Sequence, residues 1–462
     1  MRQQKIMKLT RRKSILTLAT ILILIAIRSR ERKVQTKYVK SFQYKEIPIT
    51  SDIVDLLVDN DIDKQQIYAQ YLKAAAGGFQ DNPALLYQGI QTSPYKEQIK
   101  NYPTLLTQKP NGKNLVDGTD SDDTFHPYPV VGQLPEIDEQ GLNFLHEDIK
   151  EACVCVGSFS SGEFKTKWLG RNARSNQEFW SATKIISVLN LVCCLNTTIP
   201  DANFDSYRIS GVDHKGVHRS FPIYDLVRDL VSYEEKIASS NSLAGMFRRF
   251  SSQLQLENWL KSITGNKDLV FRGDYGEEAF IYQPEVIERN TGKVLMVADT
   301  EPPNPDWTNN TLSAYDLTRM ISMLGWHNYI PPQSRLPGVK WHNLKGLVKA
   351  MGTDPARLTD LAIKVLDIQN TLDSVVILSK IGNGRTSLRK RTESVYVALV
   401  QLVIRSSDEL GDQAQLLTLG MALRGARALQ PRDFNREVVE LDARMATEVT
   451  EILHRLLNSG WT

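Results

Sequence analysis

Residues 179–192 (Phe-Trp-Ser-Ala-Thr-Lys-Ile-Ile-Ser-Val-Leu-Asn-Leu-Val) set the strongest limit on what this chain can fold into. The spacing predicts a helix beginning near Ser181, and its surface is apolar nearly all round. A helix of that kind sits in a protein interior, so other elements must wrap around it. Two polar groups stand at its start. Ser181 and Lys184 are three residues apart, and positions i and i+3 share a helix face with Cβ atoms about 5–6 Å apart. A lysine amine can reach the serine hydroxyl there. A hydroxyl acts as a nucleophile only with a base beside it, and burial with neighbouring cations brings a lysine towards neutrality. Ser-x-x-Lys also occurs at Ser93/Lys96 and Ser387/Lys390. The string alone therefore describes an ordinary solvated helix face, and what singles out Ser181 lies downstream.

The 462 residues suffice for two or three domains, and a hydrophobic fraction of 41% is ordinary for a globular chain. The net charge of +3 is unevenly placed: residues 1–33 hold ten Lys/Arg against one acid, and that +9 leaves −6 for the rest. A mildly acidic body without a basic patch excludes nucleic acid as the expected partner. Residues 1–13 are basic and residues 14–27 are nearly all Ile, Leu, Ala and Thr, the pattern of an anchoring or export segment. About 14 residues span about 21 Å of a roughly 30 Å hydrocarbon core, and flanking arginines can snorkel. An uncleaved anchor and a cleaved signal both fit. The expected partner of this segment is the membrane, with Met1 in the cytoplasm and the body outside it, in the cell envelope.

Residues 34–137 read as a helical N-terminal region and linker. Residues 62–76 have helical spacing that ends at Gly77-Gly78, and residues 108–138, rich in Pro, Gly and Asp, suit a domain boundary. The main domain is expected over 138–462. Residues 141–151 read as a helix, 152–158 and 164–169 as strands, 221–260 as mostly helical and 268–298 as an inserted hairpin. Helices are expected over 312–324, 340–351 and 355–370. Residues 375–380 and 394–404 read as an antiparallel pair, and 408–426 and 433–457 as two closing helices. The order gives an α/β domain of the α+β kind: an antiparallel sheet built from both chain ends, flanked by helices, with a mostly helical subdomain between. Cys153, Cys155, Cys193 and Cys194 have no metal-ligand spacing; three disulfide pairings, or buried free thiols, remain open.

Two strings after Ser181 complete a pattern. Ser239-Ser240-Asn241 is the chain's Ser-x-Asn and Lys380-Ile381-Gly382 its Lys-x-Gly. Ser-x-x-Lys, Ser-x-Asn and Lys-x-Gly in this order, on helix, loop and strand, resemble the serine β-lactamases and penicillin-binding DD-peptidases, with class A β-lactamases nearest in the first spacing. The similarity extends over residues 138–405. It implies a β-lactamase/transpeptidase-like fold with Ser181 as acylated nucleophile and Lys184 as its base. Ser239 would relay a proton to the leaving nitrogen, and Asn241 would hold Lys184 and the substrate amide. Lys380 would lower the pKa of Lys184 or Ser239 by its charge and attract a substrate carboxylate. Gly382, Asn383 and Arg385 would lie on the substrate side, with the N–H groups of Ser181 and Asn383 as an oxyanion hole worth about 3–4 kcal/mol. Glu301, before Pro302-Pro303-Asn304, resembles in part the loop glutamate that activates water for deacylation. Ile381 departs from the pattern, standing where the family has a hydroxyl, and Arg385 or another cation would compensate. No cofactor or metal is implied. The expected function is a serine acyl hydrolase acting on β-lactams or D-Ala-D-Ala peptidoglycan peptides. The alternative is a catalytically impaired protein of the same fold that binds cell-wall material or an envelope partner.

Overall fold

A computed structural model describes residues 63–77, 90–108, 125–160, 162–200, 202, 204–299, 310–386, 389–405 and 414–458. In chain order these include α1 (Lys64–Gly77), β1 (His126–Pro127), β2 (Ile149–Ser160), β3 (Glu163–Arg171), β4 (Gln177–Glu178) and α2 (Ile185–Thr198). The middle of the chain holds β5 (Tyr207–Val212), β6 (His218–Pro222), α3 (Ile223–Ser232), α4 (Ser240–Arg248), α5 (Gln253–Thr264), β7 (Val270–Phe271), β8 (Glu285–Glu288), β9 (Val294–Val297) and β10 (Asn310–Leu312). Then come α6 (Ala314–Gly325), α7 (Trp341–Met351), α8 (Leu358–Val365), β11 (Leu372–Thr386), β12 (Arg391–Arg405), β13 (Ala414–Arg427) and α9 (Phe434–Leu457).

The main sheet is antiparallel, six-stranded and ordered β1-β3-β2-β13-β12-β11. Strands from early and late in the chain therefore interleave, with β13 paired to β2. Side chains alternate along a strand, and β11 shows the division. Val375, Ile377 and Ile381 join the core shared with α8, α9 and α1, whereas Val376 and Leu378 join the core around α2 and α6. Lys380 has the parity of Val376 and Leu378, so its place in the strand sends it towards the α2 side. The fold is α+β, with helices on both faces of an antiparallel sheet. The inserted hairpin is β8–β9, which extends β5–β6 into a second sheet of order β6-β5-β8-β9.

Two local expectations change. Residues 408–426 read as a helix, but residues 414–427 form β13. Its Ala/Leu-rich run is flanked by β2 and β12 and buried on both faces, so strand pairing overrides a helical composition. Residues 141–148 form turns rather than a helix. The Asp138 carboxylate accepts from the N–H groups of Gln140 and Gly141 at 3.0 and 3.1 Å. The Arg171 guanidinium donates to the carbonyls of Asn143, Leu145, His146 and Ile149 at 2.6–3.2 Å, giving them the partners a helix would have supplied.

The N-terminal region joins the same packing. Tyr102, Leu106 and Tyr128 are buried in the α2-side core, and α1 lies on α9, with Tyr71 Oη 3.0 Å from Thr450 Oγ1 and Lys64 paired to Glu448 at 2.6 Å. The described residues 63–77 and 90–108 belong to the same compact unit as those from 125 to 458. All four cysteines are free thiols. Among the described residues no helix is long and apolar enough to cross a membrane; the expected segment 1–33 lies outside them.

Candidate active site

The chain enters the site through a 3₁₀ turn, Trp180–Lys184, that runs into α2. In a 3₁₀ turn residues i and i+3 eclipse, so Ser181 and Lys184 share one face. Ser181 is half-buried, while Lys184 is buried. Trp180, just before the serine, takes φ 48°, a left-handed backbone that costs a non-glycine residue about 1–3 kcal/mol. Its ring explains what holds it there. Trp180 Nε1 donates to Glu393 Oε2 at 2.8 Å, and Glu393 is in turn held by Arg424 at 2.8 Å and Arg389 at 3.0 Å. The ring occupies the space a Cβ on Gly384 would need, and a Cβ on Gly382 would meet the amide nitrogens of Ser181 and Ala182 at 2.9 Å. Two glycines on one face of β11 thus let the strand pass directly against the serine turn.

Lys184 Nζ donates to Ser240 Oγ at 2.7 Å and lies 5.6 Å from the ring centroids of both Tyr233 and Tyr275. Burial pushes its pKa well below the usual lysine range, and the Lys380 charge adds to that, against Glu277 and Glu235. Lys380 is fully buried. Its Nζ stands 3.5 Å from the Tyr233 ring centroid, 3.5 Å from the Val231 carbonyl and 4.0 Å from Asp354 Oδ1. Burial lowers Lys380 to about 7, opposed by Asp354. Tyr233, itself at φ 56°, donates its hydroxyl to the Ile381 carbonyl at 2.8 Å, which fixes the ring beside both lysines.

Ser239 and Ser240 divide two tasks. Ser239 caps α4, accepting from Ser242 N–H at 3.1 Å, and donates its hydroxyl to Glu277. Ser240, one residue on, meets Lys184. Asn241 Nδ2 reaches Glu277 Oε1 at 3.3 Å, which ties the segment to the 274–278 loop rather than to Lys184. Asp229 holds the preceding loop, accepting from the N–H groups of Lys236, Ile237 and Ala238 at 2.8–3.2 Å.

Lys184 and Lys380 thus share the Tyr233 ring, Ser240 is bonded to Lys184, and the Ser181 amide lies beside Gly382 of the edge strand. Asn383 is exposed on that strand beside Gly382, and Arg385 is described through its backbone pairing with Thr392. Ile381 packs into the opposite core at 1% exposure, so its side chain faces away from Lys380. Glu301 lies outside the described residues. Ser240, Tyr233, Tyr275, Glu277 and Asp354 were not legible as site residues. Ser240 was hidden by a one-residue ambiguity in Ser-Ser-Asn, which the need for a helix cap resolves. The others carry no local pattern, and Asp354 reads as a helix cap until the fold brings Lys380 to it.

No protein-family model and no curated protein sequence matches the chain. Its structure is similar to a β-lactamase from Desulfarculus baarsii, at 14% identity over 66% of this chain and 92% of that one, TM-score 0.36. It is also similar to a mutant of the class A β-lactamase of the last common ancestor of Gram-negative bacteria, at 13% identity over 68% and 98%, TM-score 0.37. A peptidoglycan synthetase from Bifidobacterium adolescentis is similar at 10% identity over 66% and 57%, TM-score 0.29.

Proposed function

We propose that this chain is a serine acyl hydrolase of the β-lactamase and DD-peptidase kind, forming an acyl-enzyme at Ser181 from β-lactams or D-Ala-D-Ala peptidoglycan peptides. The observation that carries this reading is the buried Lys184 amine, on the face of the half-buried Ser181, hydrogen-bonded to Ser240 and with its proton repelled by Lys380. A neutral Lys184 takes the proton of Ser181 as its Oγ attacks the carbonyl carbon. The oxyanion collects on the N–H groups of Ser181 and Asn383. As the C–N bond breaks, the proton passes from Lys184 through Ser240 to the leaving nitrogen. Glu277, tied to Ser239 and Asn241, is the carboxylate we assign to take a proton from the water that cleaves the ester. The basic and then apolar N-terminus supports a body held outside the cytoplasm, where peptidoglycan lies.

A penicillin incubated with the purified chain is expected to add its own mass to the protein, at Ser181, as read by intact-mass and peptide mass spectrometry. Ser181→Ala is expected to lose the adduct and at least about 10³-fold in hydrolysis. No adduct, together with no hydrolysis of a chromogenic cephalosporin or a D-Ala-D-Ala peptide, would overturn the reading.

One observation favours the impaired alternative. Ile381 faces the opposite core and the Lys380 ammonium is fully buried, so neither side chain is open to a substrate carboxylate. That reading expects binding of cell-wall fragments without turnover, and a burst of hydrolysed cephalosporin on mixing would exclude it.

A further inference from the structure

Asp354 is fully buried ahead of α8, in a segment remote in sequence from every residue assigned a step above. It meets β11 at Lys380, where its Oδ1 stands 4.0 Å from Lys380 Nζ, and at the neighbouring Ser379 side chain and Ile381 N–H. Lys380 in turn lies against the face of the Tyr233 ring, Lys184 lies 5.6 Å from the same ring centroid, and Lys184 holds Ser240. A continuous row therefore runs Asp354, Lys380, Tyr233, Lys184, Ser240, from behind the edge strand to the serine turn. We infer that Asp354 is a positioning residue: it fixes the Lys380 ammonium against Tyr233 and, through that charge, sets the pH at which Lys184 gives up its proton. The inference rests on the proposed role of Lys184 as base.

The physical argument runs through one charge. A buried ammonium persists near neutral pH only with a compensating anion. Asp354 is the carboxylate at Lys380. Without it, burial drives Lys380 to the neutral amine, and Lys184 loses the nearby positive charge that repels its own proton. Lys184 then holds its proton to higher pH. The groups facing each member are few. Lys380 and Arg357 face Asp354, as does Tyr396 from β12. Glu277, Glu235, Tyr233, Tyr275 and Lys380 face Lys184. Arg357 is held by Asp360 at 2.7 and 3.1 Å, so it does not replace Lys380 as the partner of Asp354.

The test reads lysine titration directly, so it does not depend on catalysis. In the full chain carrying 13C-labelled lysine ε-carbons, the Lys184 signal is assigned by its loss in Lys184→Met, and its midpoint is followed by NMR across pH. In Asp354→Asn the midpoint is expected to rise by about one pH unit, with Asp354→Glu restoring the parent value. The ascending limb of the penicillin acylation rate should rise by the same amount. A merely structural role would lower the rate at every pH and leave the midpoint in place, and that result overturns the inference. If Asp354→Asn does not fold, Lys380→Met and the double variant Asp354→Asn/Lys380→Met are compared. Equal Lys184 midpoints in the two support action through Lys380, and unequal midpoints overturn it. Absence of an acyl adduct in the parent chain refutes the acyl hydrolase reading while the NMR comparison still decides the role of Asp354.

Discussion

Arg357 and Lys380 are two buried cations that face the same carboxylate, Asp354, yet they are held in opposite ways. The Arg357 guanidinium meets Asp360 twice, at 2.7 and 3.1 Å, and also reaches the carbonyls of Gly352 and Ile377 and the Ser93 hydroxyl. Burial works against its charge, but Asp360 and Tyr102 more than offset this and hold its pKa above the usual arginine value. Lys380 has a carbonyl at 3.5 Å, a carboxylate at 4.0 Å and the face of an aromatic ring, and burial brings it down to about 7. A saturated cation is structural because nothing near neutral pH changes its state. An under-coordinated one responds to its surroundings and passes that response to its neighbours. The same contrast disposes of Ser93, whose hydroxyl accepts from Arg357 and from Tyr95 N–H. It is a structural acceptor despite standing in a Ser-x-x-Lys string.

The contrast breaks most visibly at Arg357. Arg357→Met leaves Asp360 without its cation and is expected to cost about 3–5 kcal/mol in urea denaturation. A loss below about 1 kcal/mol would mean that the saturated pair is not structural. Among the hydroxyls, Ser240→Ala is expected to slow acylation about 100-fold, because it removes the acceptor of Lys184 and the relay to the leaving nitrogen. Stopped-flow measurement with a chromogenic cephalosporin reads that change.

Lys380 sharpens the comparison through pH. Its folded pKa is depressed to about 7 from the usual 10.5, so between those values the unfolded chain binds more protons than the folded one. Stability linked to this group therefore rises as pH increases from about 7 to about 10.5. Lys380→Met is expected to flatten that rise in thermal melts across the window, whereas Arg357→Met keeps it. An unchanged slope in Lys380→Met would contradict the depressed value. The smallest effect is expected at Ser239. Ser239→Ala removes a helix cap and costs about 1 kcal/mol, while Lys184 keeps its bond to Ser240; a 100-fold loss of acylation there would reverse the division of labour between the two serines.

How much of this was legible depended on whether the information was local. The Ser181–Lys184 face follows from three residues of spacing and an apolar run, so it could be read directly. The β11–β12 pair was legible because Gly382-Asn383-Gly384 interrupts two β-rich runs, although in the fold β11 continues through the glycines to Thr386. β13 was not legible, since Ala/Leu-rich residues 414–427 favour a helix until β2 and β12 close around them. The turns at 141–148 depend on Arg171, which comes after them in the chain. Ser239 looked like the relay because a helix cap and a proton relay draw on the same residue type.

The order of the three motifs, the buried character of the helix after Ser181 and the candidacy of Ser181 and Lys184 were decided by the amino-acid sequence, because periodicity and spacing act over a few residues. The partners of those groups were decided by the tertiary structure. Ser240 at Lys184, Tyr233 at both Lys184 and Lys380, and Asp354 at Lys380 are meetings across 56, 49, 147 and 26 residues of chain. The charge of a buried lysine depends on what encloses it, and no local pattern specifies the enclosure.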